Sequence, residues 1–149
     1  MKEAVVSDST CLIGLERVGE LDILPALFSL IMIPPEVERE FGGKFVWLKV
    51  ENLTNNLLDA ALQMVVDAGE AEAIALASEK NCLLISDDKQ ARSAAKRLDV
   101  SVIGTVGVLI RAKQNGIITE VKLILDALDA NEFRLSRALR EEALKIAGE

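Results

Sequence analysis

The chain has 149 residues, half of them hydrophobic, and carries a formal net charge of -7. This length fits one domain, residues 1–149, with a buried core, and the apolar content excludes a disordered chain. The apolar runs are short and interrupted by charge, which excludes a membrane span. The apolar stretch near Met1 is too short for a signal-peptide core, so we expect a cytoplasmic protein with no membrane partner.

The residue types restrict the chemistry that the chain can perform. It contains no histidine and no tyrosine, and Cys11 and Cys82 lie among apolar residues without the spacing of a metal site. We expect both cysteines to be packed thiols. A metal held by carboxylates is therefore the main remaining route to hydrolytic chemistry. The acidic balance argues against a general nucleic-acid binder, which should be basic.

The first half of the chain alternates between apolar strands and short helices. The strand over 4–7 ends at Asp8, and Ser9 or Thr10 can cap the helix that follows. The apolar run over 30–33 ends at two prolines. This pattern predicts a buried parallel strand followed by a helix with proline in its first turn. The remaining predicted elements are a short helix in LDILPALF, a helix in PEVEREF that stops at Gly42-Gly43, and an edge strand in FVWLKV.

The second half continues the alternation. The predicted elements are two helices over 56–67 and 70–80 broken at Gly69, a buried strand in CLLIS (82–86), a helix to Leu98, a fourth core strand in VSVIG (100–104), and helices to Gln114, near 119–129 and from Ser136 to Ala147. Strands that alternate with helices predict a parallel sheet covered on both faces. In such α/β folds, ligands bind beyond the carboxyl ends of the strands.

Asp8 and the pair Asp87-Asp88 each follow a predicted strand directly. We expect them to share the crevice at the carboxyl edge of the sheet. Because Ser9 and Thr10 are available as helix caps, Asp8 is expected to face the crevice. One residue of the pair is expected to cap the next helix while the other faces the crevice, and the sequence leaves both arrangements open.

Helical periodicity selects Glu40 among the glutamates of PEVEREF. Glu40 shares a stripe with Val37 and Phe41 and is therefore expected to point inward. Glu36 lies in the first turn, where a negative charge suits the helix dipole, and Glu38 is expected to face outward.

The same periodicity selects Glu70 in GEAEAIALASEK. Glu70 aligns with Ile74, whereas Glu72 aligns with Glu79, which we expect to be solvated. Glu70 therefore points inward more plausibly than Glu72. If Asp8, Glu40, Glu70 and the 87–88 pair converge, their mutual repulsion favours a bound Mg²⁺ or Mn²⁺ and metal-assisted attack on a phosphodiester.

Two basic clusters could contact a nucleic-acid backbone. The first comprises Lys89, Arg92 and Lys96 on one helical face with Arg97 beside it, and the second comprises Arg134, Arg137 and Arg140. For both clusters, a solvated helix face is the favoured interpretation.

The chain resembles the PIN-domain ribonucleases, which include the VapC-type toxins of prokaryotic toxin–antitoxin pairs. The similarity covers nearly the whole chain and lies in VVSDSTCLIGL, IPPEVEREF, GEAEAIALA, LLISDDKQARSAAKRL, VIGTVGVLIRAK and the closing FRLSRALREEALKIAGE. The resemblance implies a three-layer α/β/α fold, a Mg²⁺ or Mn²⁺ site and endonucleolytic cleavage of RNA. It also implies partners, namely a small antitoxin protein and a second copy of the chain in a homodimer.

The resemblance also implies roles for individual residues. Asp8 matches the aspartate after the first strand, Glu40 the acid in the helix after the second strand, and Glu70 the acid that opens the middle helix, where many relatives have aspartate. Asp87 and Asp88 lie where relatives place one or two acids. The small hydroxyl residues expected to line the cleft are Ser9, Thr10 and Thr105, and the residues expected to hold RNA are Lys89, Arg92 and Lys96.

Two other functions compete with a ribonuclease. One is a PIN-fold module with weak catalysis that acts through protein partners, which an acidic surface would suit. The other is a phosphatase or a phospho-accepting receiver domain. The latter is disfavoured because Asp8-Ser9-Thr10 lacks a second aspartate two residues on.

Overall fold

A computed structural model describes residues 2–149 and places five parallel strands in one sheet, in the order β3-β2-β1-β4-β5. The strands are β1 (Ala4–Ser7), β2 (Leu30–Ile33), β3 (Leu48–Val50), β4 (Leu83–Ile85) and β5 (Val102–Ile103). Strand β1 lies at the centre, where Val5 pairs with Ile31 of β2 and with Leu83 of β4. The predicted parallel sheet is therefore confirmed.

Helices cover both faces of this sheet, which gives the predicted three-layer α/β/α fold. The helices are α1 (Ser9–Arg17), α2 (Ile23–Leu27), α3 (Pro35–Phe41), α4 (Leu57–Leu62), α5 (Ala68–Lys80), α6 (Lys89–Arg97), α7 (Thr105–Gln114), α8 (Val121–Ala130) and α9 (Arg137–Ala147). Helix α5 packs on β1 and β4, and α4 and α6 both contact α5. In a second set of helices, α1 contacts α8, α8 contacts α7, and α7 contacts α2. Within residues 2–149, no helix is long and apolar enough to span a bilayer.

The core is built from the central strands and the helix faces against them. Val5, Val6, Ile33, Leu84 and Ile85 are fully buried, which matches strands with helices on both sides. Both cysteines are free thiols, with Cys11 buried and Cys82 partly buried, as predicted.

Three predicted boundaries were wrong. Gly69 does not separate two helices, because α5 begins at Ala68 and Gly69 lies buried in its first turn. VSVIG supplies only the two residues of β5, which are partly buried at the edge of the sheet rather than in its core. FVWLKV does form the opposite edge strand, but only its last three residues, Leu48–Val50, belong to β3.

Candidate functional site

Buried polar side chains are concentrated at one place in the fold. Within residues 2–149, the buried polar or charged residues are Ser7, Asp8, Ser86 and Thr105. Ser7 and Asp8 end β1, Ser86 follows β4, and Thr105 begins α7 just after β5. All four therefore lie at the carboxyl edge of the sheet, where ligands bind in α/β folds. A protein interior excludes polar groups unless they are satisfied or used, so this edge is the candidate site.

Asp8 is fixed by both of its carboxylate oxygens. Oδ1 accepts a hydrogen bond from the backbone N–H of Cys11 at 2.9 Å, and Oδ2 accepts one from the N–H of Asp87 at 3.1 Å. The backbone N–H of Asp8 in turn donates to the carbonyl of Ile85. The expectation that Ser9 or Thr10 caps α1 was wrong, because Asp8 is itself the N-cap. One carboxylate thus starts a helix and joins the ends of two neighbouring strands.

Burial and neighbouring charge both oppose ionisation of Asp8. The pKa of Asp8 is raised well above its ordinary value, first by desolvation and then by the carboxylate of Asp87, with a smaller contribution from Glu70. Its two backbone hydrogen bonds act in the opposite direction. Because the rise dominates, an ionised Asp8 needs a compensating positive charge nearby.

The structure resolves the choice between Asp87 and Asp88. Asp88 caps α6, since its Oδ2 accepts the N–H of Ala91 at 2.8 Å, and its side chain is exposed. Asp87 is held instead by Thr105, whose N–H donates to Oδ1 at 2.9 Å and whose hydroxyl donates to Oδ2 at 2.5 Å. Asp87 therefore occupies the crevice beside Asp8, and Thr105 positions it.

Glu70 approaches the strand ends from α5. Its carboxylate accepts a hydrogen bond from the Ser86 hydroxyl at 3.3 Å. Desolvation, followed by the charges of Asp67 and Asp88, raises the pKa of Glu70 to about 7. Glu70 thus belongs to the same electrostatic group as the strand-end acids.

The competing glutamates of α5 have other partners. Glu72 accepts the backbone N–H of Glu36 at 3.2 Å and so joins α5 to the first turn of α3. Glu79 is exposed, as predicted, and accepts the N–H groups of Thr54 and Asn55. These contacts satisfy backbone donors in other segments, which leaves Glu70 as the glutamate of α5 that reaches the site.

Glu40 lies at the rim of the site rather than on an inward stripe. Its side chain is exposed, so that part of the prediction was wrong, although its helix neighbours Val37 and Phe41 are buried as expected. The carboxylate lies over Gly69, where a Cβ atom would come within 2.3 Å of Oε1. Desolvation raises the pKa of Glu40, the side chain of Ser9 partly offsets that rise, and Asp67 adds to it. A side chain at position 69 would therefore displace the Glu40 carboxylate from its present place.

Asp67 is a site residue that the sequence analysis missed. It caps α5 by accepting the N–H of Glu70 at 2.9 Å, and its charge raises the pKa of both Glu70 and Glu40. The stretch Asp67-Ala-Gly-Glu70 has the spacing of a capping box, which could have revealed it. The predicted helix over 70–80 begins after Gly69 instead, so Asp67 falls outside it.

The donor chemistry of this group fits a hard divalent cation. Each raised pKa within the group includes repulsion from another member of it, and carboxylate oxygens are the ligands that Mg²⁺ prefers. Within residues 2–149, no three acidic or cysteine side chains converge closely enough to form a complete ligand set. The predicted convergence of Asp8, Glu40, Glu70 and the 87–88 pair on one ion is therefore not observed among these residues. Mg²⁺ commonly contacts only one or two carboxylates and keeps several of its waters.

Some basic residues near the site are bonded to other groups of the protein, and others are exposed. Nη1 of Arg92 donates to the carbonyl of Ser86 at 2.9 Å, so Arg92 supports the turn after β4. Lys89 and Lys96 are exposed on α6. In the second basic cluster, Arg137 pairs with Glu141, and Arg140 pairs with Asp126 and Asp129.

The cleft beside Asp87 extends over the ends of α1 and α9. A cavity of about 430 Å³ is lined by Thr10, Ile13, Gly14, Arg17, Asp87, Asn131, Glu132, Phe133, Arg134, Leu135 and Leu139. Thr10, one of the small hydroxyl residues expected to line the cleft, is part of this lining. Asp87 of the acidic group therefore forms one side of the cavity, and apolar and basic side chains form the other.

Comparison with known proteins identifies the fold. No curated protein matches the chain. Among solved structures, a PilT N-terminus domain protein from the archaeon Sulfolobus solfataricus P2 superposes with a TM-score of 0.52 at 20% identity, over 70% of this chain and 89% of that one. The sequence model of the family described as PIN domain matches residues 4–149. Since that match includes every strand and all the acids of the site, the chain belongs to the PIN-domain family.

Proposed function

We propose that this chain is a metal-dependent endoribonuclease whose acidic site uses Mg²⁺ or Mn²⁺. The observation that carries the proposal is the buried carboxylate of Asp8, which accepts the N–H of Asp87 and so unites two strand ends within a group of mutually repelling acids. The PIN fold is a nuclease-type fold, and divalent metals are typical of it, which supports the same conclusion.

The residues of the chain divide the work in this proposal. Asp8 and Asp87 would hold the cation directly or through its waters, because hydrogen bonds from the backbone hold both carboxylates in place. Glu70 and Glu40 would complete the negative pocket from the helices. Asp88 serves as a helix cap in the same turn. A cation held there would supply a water of lowered pKa and would neutralise charge on the scissile phosphate.

The RNA backbone would be bound outside the acidic group. Lys89 and Lys96 are exposed on α6, Lys89 next to the turn that carries Asp87 and Lys96 in the last turn of the helix, and both are free to contact phosphates. Arg92 contributes mainly by holding that turn, since its guanidinium is bonded to Ser86. Phosphate contacts of this kind position a nucleic acid without reading its sequence.

Protein partners form the second part of the proposal. Leu57, Met64 and Val65, on and just after α4, are 78%, 86% and 60% exposed. Exposed apolar side chains close together in the chain favour a protein contact, either with a small antitoxin or with a second copy in a homodimer. Light scattering of the purified protein, alone and with its chromosomal neighbour, measures which partner it binds, and a monomer in both cases would reject this part.

The test of the enzymatic proposal is RNA cleavage with matched variants. The wild-type protein is expected to cut single-stranded RNA with Mg²⁺ or Mn²⁺ and to lose that activity in EDTA. Asp8→Asn is expected to abolish cleavage, since asparagine remains a good helix cap but lacks the charge. Asp22→Asn is the control, because Asp22 is exposed and makes no side-chain cap bond. Cleavage retained by Asp8→Asn would reject the assignment.

A further inference from the structure

The cavity next to Asp87 has the size and composition of a ligand site. Its volume of about 430 Å³ lies within the range of small-molecule pockets, roughly 300–1,000 Å³. Ile13, Leu135 and Leu139 give it an apolar wall, and Phe133 supplies an aromatic ring. Asp87 belongs both to this lining and to the acidic group, so a ligand in the cavity would lie beside the catalytic site.

Phe133 is held rigidly against α1. A Cβ atom at Gly14 would lie 2.7 Å from Cδ2 of the Phe133 ring, so only glycine permits this close approach. The N–H of Phe133 donates to the carbonyl of Leu128 at 2.9 Å, and Glu132 before it adopts a positive φ of 67°. The turn after α8 therefore fixes the ring in the wall of the cavity.

Two arginines in the lining of the cavity are available for a ligand. Arg17 ends α1, and Arg134 follows Phe133. Among the described residues 2–149, neither arginine forms an ion pair, whereas Arg137 and Arg140 of the same basic cluster are paired with acids. Both free guanidiniums are exposed, so they can reach phosphate groups that enter from solvent.

We propose, resting on the proposed function, that this cavity holds one unpaired nucleobase of the RNA next to the scissile phosphate. Single-stranded nucleic acids are bound by aromatic rings that stack on bases and by arginines that contact phosphates, and the cavity offers both. The base stacks on Phe133 while Arg17 and Arg134 bind the adjoining backbone phosphates. A base that is paired inside a duplex cannot enter the cavity, so binding there requires an unpaired nucleotide.

The direct test compares a ligand with and without its base, in EDTA so that neither metal nor cleavage is needed. Nucleoside 5′-monophosphates and ribose 5-phosphate are titrated separately into ¹⁵N-labelled wild-type protein and followed by NMR. We expect the nucleotides to shift the amide signals of residues 133–135 and of the end of α1. Because stacking contributes roughly 1–3 kcal/mol per base, ribose 5-phosphate should bind about 5- to 150-fold more weakly.

Three variants locate the contacts. Phe133→Leu is expected to weaken nucleotide binding at least about 5-fold while leaving ribose 5-phosphate unchanged. Arg134→Ala, at an exposed position that tolerates substitution, should weaken both ligands. Arg137→Ala is the matched control and should weaken neither, because Arg137 is paired with Glu141 and lies outside the lining.

The outcomes separate this inference from the nuclease proposal. Equal binding of nucleotide and ribose 5-phosphate, signal shifts away from the cavity, unchanged nucleotide binding in Arg134→Ala, or no binding at all would each overturn it. Nucleotide binding in the cavity of a protein that cleaves no RNA with any metal would reject the nuclease proposal and leave the base-binding cavity standing. Cleavage of RNA without base-dependent binding would reject the base-binding cavity and leave the nuclease proposal standing.

Discussion

The strand side and the helix side of the acidic site are built in different ways. On the strand side, Asp8 and Asp87 follow β1 and β4, and each carboxylate accepts two hydrogen bonds, at least one of them from the backbone. On the helix side, Glu70 accepts one hydroxyl bond and Glu40 is exposed on a flexible stem. In the proposed function, the strand-end acids would therefore define where a cation binds, while the helix acids would adjust the charge around it.

The largest expected effect follows from this division. Asp8→Asn should abolish detectable cleavage, a loss of at least roughly 10²–10³-fold, as when one fixed electrostatic group is removed from an active site. Glu40→Gln should reduce the cleavage rate by only about 10-fold, because an exposed side chain is less firmly placed and is screened by water. Single-turnover rates at saturating Mn²⁺ measure both. Equal losses in the two variants would contradict the distinction between the strand side and the helix side.

Thr105 tests whether positioning of Asp87 matters. Thr105→Val removes the hydroxyl that donates to Oδ2 of Asp87 and keeps the shape of the side chain. We expect a 10- to 100-fold loss of activity and about 1–3 kcal/mol of lost stability, because a partly buried carboxylate loses a partner. Thr105→Ser, which retains the hydroxyl, should recover most of both. Cleavage rates and urea denaturation report the two effects, and a fully active valine variant would contradict the role of Thr105.

The variant Gly69→Ala tests the helix side of the site without changing any charged residue. Gly69→Ala places a methyl group where the Glu40 carboxylate lies, 2.3 Å from Oε1, so that carboxylate must move. Activity should fall by about 10-fold, comparable to Glu40→Gln. Stability should be unchanged or rise by up to about 1 kcal/mol, since alanine is the better helix former within α5. Loss of activity together with loss of folding would show that Gly69 serves packing instead.

The smallest effect is a pH dependence caused by Glu70. Its pKa is raised from an ordinary value of 4.5 to about 7, so the folded protein without metal binds this proton more tightly than the unfolded chain does. The free energy of unfolding is therefore expected to fall as the pH rises from about 4.5 through about 7. Glu70→Gln should remove this part of the decline and raise stability at pH 8 by about 1 kcal/mol, a value reduced for solvent screening. Urea denaturation at pH 5 and pH 8 measures it, and an unchanged pH slope would contradict the assignment.

The sequence predicted most of the fold because its signals are local. The apolar runs before Asp8 and Asp87 identified two neighbouring strands, and Gly42 ends α3 in a left-handed conformation as expected. The rule that ligands bind at strand ends then brought those two acids together correctly. Assignment of Asp88 to the helix cap depends on backbone dihedral angles, which no local pattern fixes.

Tertiary contacts explain the predictions that failed. Glu40 shares the helical periodicity of Val37 and Phe41, yet its long side chain extends along the rim to reach Gly69. Gly69 predicts a helix break because glycine disfavours helices, whereas in the structure Gly69 lies inside α5 and the Glu40 carboxylate of α3 lies over it. Asp8 was not expected to cap α1 because Ser9 and Thr10 were available as caps. Asp8 caps the helix and also faces the site because each of its carboxylate oxygens has its own partner.

The melting temperature with and without Mn²⁺ tests most directly whether these acids form one metal site. Wild-type protein should melt about 5–10 °C higher when Mn²⁺ exceeds its dissociation constant a hundredfold, the equivalent of about 2.7 kcal/mol. Asp8→Asn should lose that shift, and Asp22→Asn should keep it. An equal shift in wild type and Asp8→Asn, or no shift in wild type, would contradict a cation site centred on Asp8.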